Sequence, residues 1–398
     1  MRKSFFSIAM AAVVVCVMAA CGNKGNAATT GEAEAAIESS DDSPAMKLLN
    51  SVEFTEEGLA SMVKTPEGEP LSDTELEAFY LAYSKVNINE ETLDLERNPV
   101  NKAFSEAKRG RKVNPNKKAI ETRLLSNASP QVRGVAMEEC VSQLFGGSSE
   151  EVATALKALE SEKDPFVLKK GVRALMNELK RPEVAKFVLG LVGHENKNVR
   201  KEVAVAVGNP WSKDVPGILD AARKLMADED VDVKKFIFSG AGRLGDDSIV
   251  PDYVKLLNDD SQSKVHGEAM RGLCALWCDY PKYENSSKAA YEATLKFFKK
   301  TPRTNVEWTT VTALTTQGKD LQQLLDRDKF VKPADIVKVF SDVAADPDMN
   351  WLGRGPAAKV VLAFGSKADV EKLRARIAAN ANDKDKDRML DSVDKLLK

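Results

Sequence analysis

VDVKKFIFSGAGRLGDDSIVPDYVKLLNDD, residues 231–260, sets two apolar-faced segments on either side of a Gly-Asp-Asp break. The first, VDVKKFIFSGAGRLG (231–245), places a valine and a lysine pair ahead of a run of small and aliphatic residues. In the second, GDDSIVPDYVKLLNDD (245–260), Ile249, Val250, Val254, Leu256 and Leu257 keep roughly helical spacing. Asp247 or Ser248 can N-cap it, and Pro251 is tolerable in a first turn, where no intrahelical N–H is needed. The stretch predicts helix, turn, helix.

The first half of this unit recurs. It appears as SPQVRGVAMEECVSQL (129–144), DPFVLKKGVRALMNEL (164–179), KNVRKEVAVAVG (197–208) and QSKVHGEAMRGLCAL (262–276). The marker valines Val132, Val167, Val199, Val233 and Val265 are 35, 32, 34 and 32 residues apart. Second amphipathic segments follow at SSEEVATALKALESE (148–162) and RPEVAKFVLGLVGH (181–194). One helix pair cannot bury its apolar face alone, whereas stacked neighbours bury a continuous core. Gly and Ala in FSGAGRLG and VAVAVG allow adjacent helices to approach closely.

This pattern resembles HEAT repeats of the short subclass related to phycobilisome-lyase repeats, on residues 231–260 and 164–192 above all. The similarity covers 129–302. WTTVTALTTQGKDLQQLL (308–325) and RGPAAKVVLAFGSKADVEKLRARIA (354–378) read as degenerate later units with longer insertions, so 303–398 is assigned to degenerate repeats and a C-terminal cap. Residues 44–128 form an irregular helical N-terminal region, of which TELEAFYLAYSKV (74–86) is the most convincing helix. Terminal units of such arrays are atypical because each covers an open end. The resemblance implies an all-α fold, a right-handed α-solenoid with the second helix of each pair lining a concave face.

The N-terminus carries a different signal. Arg2 and Lys3 precede 16 residues, Phe5 to Ala20, that are apolar except for Ser7. That run is short of the roughly 18–20 residues a spanning helix needs and describes a secretory signal peptide, residues 1–20. Its end, Met18-Ala19-Ala20-Cys21, resembles the lipobox of bacterial lipoproteins, in which the cysteine is acylated and the leader is cut just before it. Cys16 follows three valines, a bulky approach unsuited to that cleavage, so Cys21 is the expected lipid attachment and Cys16 leaves with the leader. Two or more acyl chains anchor stably where one does not. Gly22 stands where enteric lipoproteins retained on the inner membrane carry Asp, so the resemblance favours the outer membrane. Residues 21–43 are small, polar and acidic and read as a flexible tether with a reach of roughly 25 Å.

Without Arg2 and Lys3 the formal charge moves from −2 to −4, nearly neutral for 398 residues, and no nucleic-acid partner is expected. No zinc-protease, serine-hydrolase or phosphate-loop motif is present. His194 ends a helix, where a donor is mildly favourable; His266 follows a marker valine and reads as a surface position. Cys140 lies four repeats from Cys274 and is expected as a free, buried thiol. Cys274 and Cys278, spaced i, i+4 around Trp277, read as buried small hydrophobes, against a redox or metal pair or a strained disulfide. DKDKDR (383–388) sets Asp383, Asp385 and Asp387 in a calcium-loop order, but Arg388 replaces the required Gly and Asp394 the final Glu, so it reads as the acidic start of a last helix.

KRGRKVNPNKK (108–118) holds Lys108, Arg109, Arg111, Lys112, Lys117 and Lys118 without an acid. It reads either as a solvated loop or as a contact for an anionic partner. No catalytic residue, cofactor or metal ligand is assigned. The expected function is a lipid-anchored envelope protein binding another protein or peptide, not an enzyme, with Lys157, Glu160, Lys186, Asp220, Arg223, Lys224, Asp252 and Lys255 on the working face. The alternatives are a cofactor-handling, lyase-like enzyme with the same repeats, or a structural spacer.

Overall fold

Four of the five helices that carry the marker valines begin where a short polar side chain takes up orphan backbone N–H groups. Ser129 accepts from the Val132 N–H, Asp164 from Phe166 and Val167, Asn196 from Asn198, and Asp230 from Asp232 and Val233. In a computed structural model, which describes residues 42–141, 147–279, 283–303, 306–315 and 321–398, every regular element of these segments is helical. Residues 1–41, on which the expected signal peptide, Cys16, Cys21 and most of the expected tether fall, lie outside the described residues.

The helices α1 (Pro44–Asn50), α2 (Glu56–Ala60), α3 (Asp73–Ala82), α4 (Pro99–Lys108) and α5 (Lys117–Leu124) come first. The repeats supply α6 (Pro130–Cys140), α7 (Ser149–Leu159), α8 (Pro165–Leu175), α9 (Pro182–Gly190), α10 (Lys197–Val207), α11 (Ile218–Met226), α12 (Val231–Ala241), α13 (Val250–Leu257), α14 (Ser263–Ala275) and α15 (Lys288–Lys299). Then come α16 (Trp308–Thr315), α17 (Leu321–Arg327), α18 (Pro333–Ala344), α19 (Trp351–Phe364), α20 (Lys367–Ala379) and α21 (Lys386–Leu397). None of the described helices is long and apolar enough to cross a membrane.

The helices carrying the marker valines pack on one another in series: α6 on α8, α8 on α10, α10 on α12, α12 on α14. All five valines are withdrawn from water, each burial contributing about 1.5–3 kcal/mol. The row runs past the quoted repeats: α14 packs on α16, α16 on α19 and α19 on α21, while α3 packs on α6 at the other end. A second row lies behind it: α7 packs on α9, Arg223 of α11 bonds Asp252 of α13, and α13 packs on α15, α15 on α18 and α18 on α20. The polar stretch around α17 thus adds a helix without interrupting either row.

Two glycine pairs set the spacing. A Cβ on Gly240 would lie 2.7 Å from the Gly208 Cα, and one on Gly242 would lie 1.8 Å from the Gly272 carbonyl oxygen. The small residues in VAVAVG and FSGAGRLG therefore do bring neighbouring helices into contact.

The capping of the second segment of 231–260 differs from expectation. Neither Asp247 nor Ser248 caps α13. Asp246 accepts from the Ser248 N–H, and a single 3₁₀ turn, Asp247–Ile249, leads into α13 with Pro251 in its first turn. The extra turn comes from Gly245, whose left-handed conformation (φ 72°) redirects the chain one residue earlier.

The residue after the marker valine ties units together. Arg133 donates from Nη1 to the carbonyls of Asn127 and Ala128 at 2.9 and 3.0 Å and from Nε to Glu162 at 2.8 Å. Arg200 repeats this, gripping the carbonyls of His194 and Glu195, both at 2.9 Å, and Asp228 at 2.7 and 3.0 Å. Each arginine thus binds the connector before its helix and a carboxylate in the connector after the next.

Candidate functional site

The basic run 108–118 joins α4 to α5, and polar side chains fix its path. Asn114 is buried and donates to the Leu71 carbonyl (2.7 Å) and to Asp73 (2.9 Å), and Asn116 donates to the other Asp73 oxygen (2.9 Å). These two amides hold the Asp73 carboxyl below its usual range. Arg111 donates to the carbonyls of Thr65, Pro66 and Glu69 at 3.2, 2.6 and 3.0 Å. Lys112 pairs with Glu69 at 3.2 Å, Lys108 with Glu139 at 3.9 Å, and Lys118 with Glu150 and Glu151 at 3.6 Å. Arg109 alone in the run is exposed without a carboxylate in ion-pair range among the described residues.

Lys117 enters an open cleft of about 890 Å³ walled by Asn114, Lys118, Glu121, Glu138, Glu139, Cys140 and Glu151. It bonds Glu121 at 2.8 Å and Glu139 at 3.4 Å. Glu121 is buried and also accepts from the Tyr80 hydroxyl of α3. Burial raises the Glu121 pKa, against the pull of Lys117 and Tyr80. Burial opposes the charge on Lys117, but its hydrogen bond to Glu121 raises its pKa. Burial pushes the Cys140 thiol up to about 12, which keeps it protonated and weakly nucleophilic near neutral pH. The cluster joins α3, α5 and α6 across the start of the repeats. Its charges face each other, so what it presents to solvent is a polar wall rather than an activated nucleophile.

The predicted working face lies on the second row. Lys157 is on α7, Glu160 caps it, and Lys186 is on α9; all three are exposed. On α11, Asp220 and Lys224 are exposed, while Arg223 is half-buried and bonded to Asp220 (3.8 Å), to Asp252 of α13 (3.4 Å) and to the Ser248 hydroxyl (2.8 Å). Lys255 on α13 is exposed. Arg223 and Asp252 therefore act first as a bridge between successive second helices.

Two histidine assignments need correction. His266 is buried, with Nε2 at 3.1 Å from the carbonyls of both Leu256 and Asp259 and its ring edge-on to Phe297. Its ring thus reaches one carbonyl in the last turn of α13 and one in the connector that follows it. Arginine there spans to the next unit, but the shorter imidazole is drawn in. His194 lies beyond α9, and its Nδ1 accepts from the Asn196 N–H at 3.0 Å instead of donating to the helix end.

Cys140, Cys274 and Cys278 are buried thiols outside any disulfide, the last two beside buried Trp277. In DKDKDR, Asp383 is committed to Arg354 and to the Asp385 N–H, Arg388 pairs with Asp385 at 3.7 Å, and Asp394 bonds Arg374, so the segment serves as the entry to α21. Among the described residues no group of three or more His, Cys, Asp or Glu side chains is arranged to hold a metal ion.

No protein-family model matches this chain, and no curated protein matches it.

Sequence reading missed Tyr80 and Glu121 because their partnership spans 41 residues and leaves no local signature. The arginine clamps had a signal: Arg133 and Arg200 each directly follow a marker valine, with an acid 29 and 28 residues later.

Proposed function

We propose that this chain is a lipid-anchored protein of the bacterial envelope, held by acylated Cys21 on the outer membrane, whose HEAT-like repeats form a right-handed α-solenoid that binds another envelope protein or peptide in an adaptor or assembly role. The observation that carries this reading is the uninterrupted packing series from α3 to α21, backed by second helices whose outward side chains are charged. Serial stacking leaves long lateral faces, the surface such arrays use for binding. The acidic, small-residue tether fits a body that stands off a lipid surface. Among the six cations of the 108–118 run, Arg109 is exposed with no carboxylate in ion-pair range among the described residues, which supports a contact there with an anionic headgroup or partner.

Fractionation of wild type and Cys21→Ser tests the reading in one experiment. Wild type should sediment with membranes and bring down one envelope protein in near-stoichiometric amount, and Cys21→Ser should appear in the soluble fraction. A Cys21→Ser chain that remains on membranes, or a bound chromophore recovered in place of a protein, contradicts it.

A further inference from the structure

The segment 86–96 lies across the start of three marker helices. Gln131 Nε2 of α6 donates to the Val86 carbonyl at 3.0 Å. Lys169 Nζ of α8 donates to the carbonyls of Thr92 (2.9 Å) and Leu93 (3.2 Å) and to the Asp94 carboxylate (2.6 Å). Asn198 Nδ2 of α10 donates to the Glu91 carbonyl at 2.8 Å. Gln131 and Asn198 each precede a marker valine by one residue, and Lys169 follows one by two. These positions are i and i+3 and share one helix face. The segment is a hairpin, with Ile88 bridged to Leu95 and a turn between them, and it shows how an acidic hairpin binds this face: lysine takes two carbonyls and a carboxylate, and an amide side chain takes a further carbonyl.

The segment turns back at Glu91, over α10, and the lysine position continues beyond it, while the position of the amide is held by Asp232 on α12. Lys201 of α10 and Lys235 of α12 follow their marker valines by two residues, as Lys169 does. Lys201 has no carboxylate in ion-pair range among the described residues, and its Nζ lies 5.9 Å from the centroid of the Phe236 ring. Phe236 is 44% exposed, and Lys235 has a single ion-pair partner, Asp232 of its own helix, at 3.5 Å.

We propose that Lys201, Lys235 and Phe236 receive an acidic hairpin of a partner protein, in the manner of residues 86–96 on the preceding units. The lysines take a carboxylate and neighbouring carbonyls, and Phe236 takes the apolar side chain beside them, as in the Leu93-Asp94 pair. This rests on the binding-protein reading above and names the chemistry of the ligand.

The test uses a fluorescent peptide with the sequence of residues 86–96, VNINEETLDLE, added to the full chain and followed by anisotropy. Saturable binding should weaken by about tenfold in Lys201→Glu/Phe236→Ala and change less than about twofold in Lys47→Glu, an exposed site on α1. A peptide with Asn in place of its Asp should also weaken. Circular dichroism confirms that each variant is folded; should the double variant unfold, Lys235→Glu, on an exposed helix face, takes its place. No binding up to about 1 mM overturns the proposal. So does binding unchanged in the double variant but altered by Lys169→Ala, which reports displacement of the chain's own segment. If the peptide fails while an envelope protein is still recovered from membranes, this site is wrong and the binding reading stands.

Discussion

Arg354 on α19 closes a two-pronged ion pair on Asp383, 29 residues further on, with an Nη1–Oδ1 distance of 2.9 Å and both side chains fully withdrawn from water. Its Nε donates to the Ala344 carbonyl at 2.9 Å. This is the Arg133–Glu162 and Arg200–Asp228 arrangement carried into the last units, in its most buried form. Removing one partner of a buried pair leaves an uncompensated charge and costs about 3–5 kcal/mol, whereas replacing both with apolar residues of similar volume is often near neutral. Asp383→Ala is therefore expected to destabilise far more than Arg354→Met/Asp383→Leu, measured as denaturant midpoints of the full chain.

The ladder carboxylates set an acid limit. Glu162 and Asp228 lie below their usual range: burial opposes ionisation, but the hydrogen bonds from Arg133 and Arg200 outweigh it. At Asp383 the Arg354 hydrogen bond is the leading cause of the lowering. A depressed folded pKa contributes stability that is present above the unfolded value, about 4, and is lost as pH falls through the folded value. Glu121 acts in the opposite sense. Its raised pKa favours the fold below the unfolded value, and that contribution is lost as pH rises through the folded one. The lowered carboxylates, Asp73 among them, outweigh Glu121, so urea midpoints should fall between about pH 5 and about pH 2. The fall should be shallower in Arg200→Met/Asp228→Leu.

Helix contact through glycine yields a paired prediction. Gly272→Ala forces a methyl against the Phe238 carbonyl and the Tyr253 hydroxyl, and is expected to cost about 1–3 kcal/mol or more. Gly190 in α9 has open space around its Cβ position, so Gly190→Ala should be neutral or stabilise by up to about 1 kcal/mol. Thermal melts of the two variants would separate packing from propensity.

The all-α class and the row of marker helices were legible because burial recurs with the chain's own period: Val132, Val167, Val199, Val233 and Val265 report local helical faces. Helix starts were legible where the cap is two or three residues from its acceptor, as at Asp164 and Asp230. Asp246 was missed because Gly245 shifts the turn. What pattern reading cannot reach is partnership across long separations. Lys169 looks like a solvated lysine in DPFVLKKG but is buried because a segment 75 residues earlier folds over it. The basic run looks unbalanced in sequence because its carboxylates, Glu69, Glu139, Glu150 and Glu151, lie on other elements. His266 was placed outside because its role depends on carbonyls of the previous unit, and no residue type announces those.

The most direct test of the binding reading compares recovery of the partner by wild type and by a second-row variant, Lys157→Glu/Lys186→Glu/Lys255→Glu. The three lysines are exposed on α7, α9 and α13, so the variant should keep its fold and its melting temperature. Wild type should recover one envelope protein from detergent-extracted membranes, and the variant should lose most of it while remaining membrane-bound. Equal recovery of that protein by both chains would contradict the assignment of the second helices as the working face.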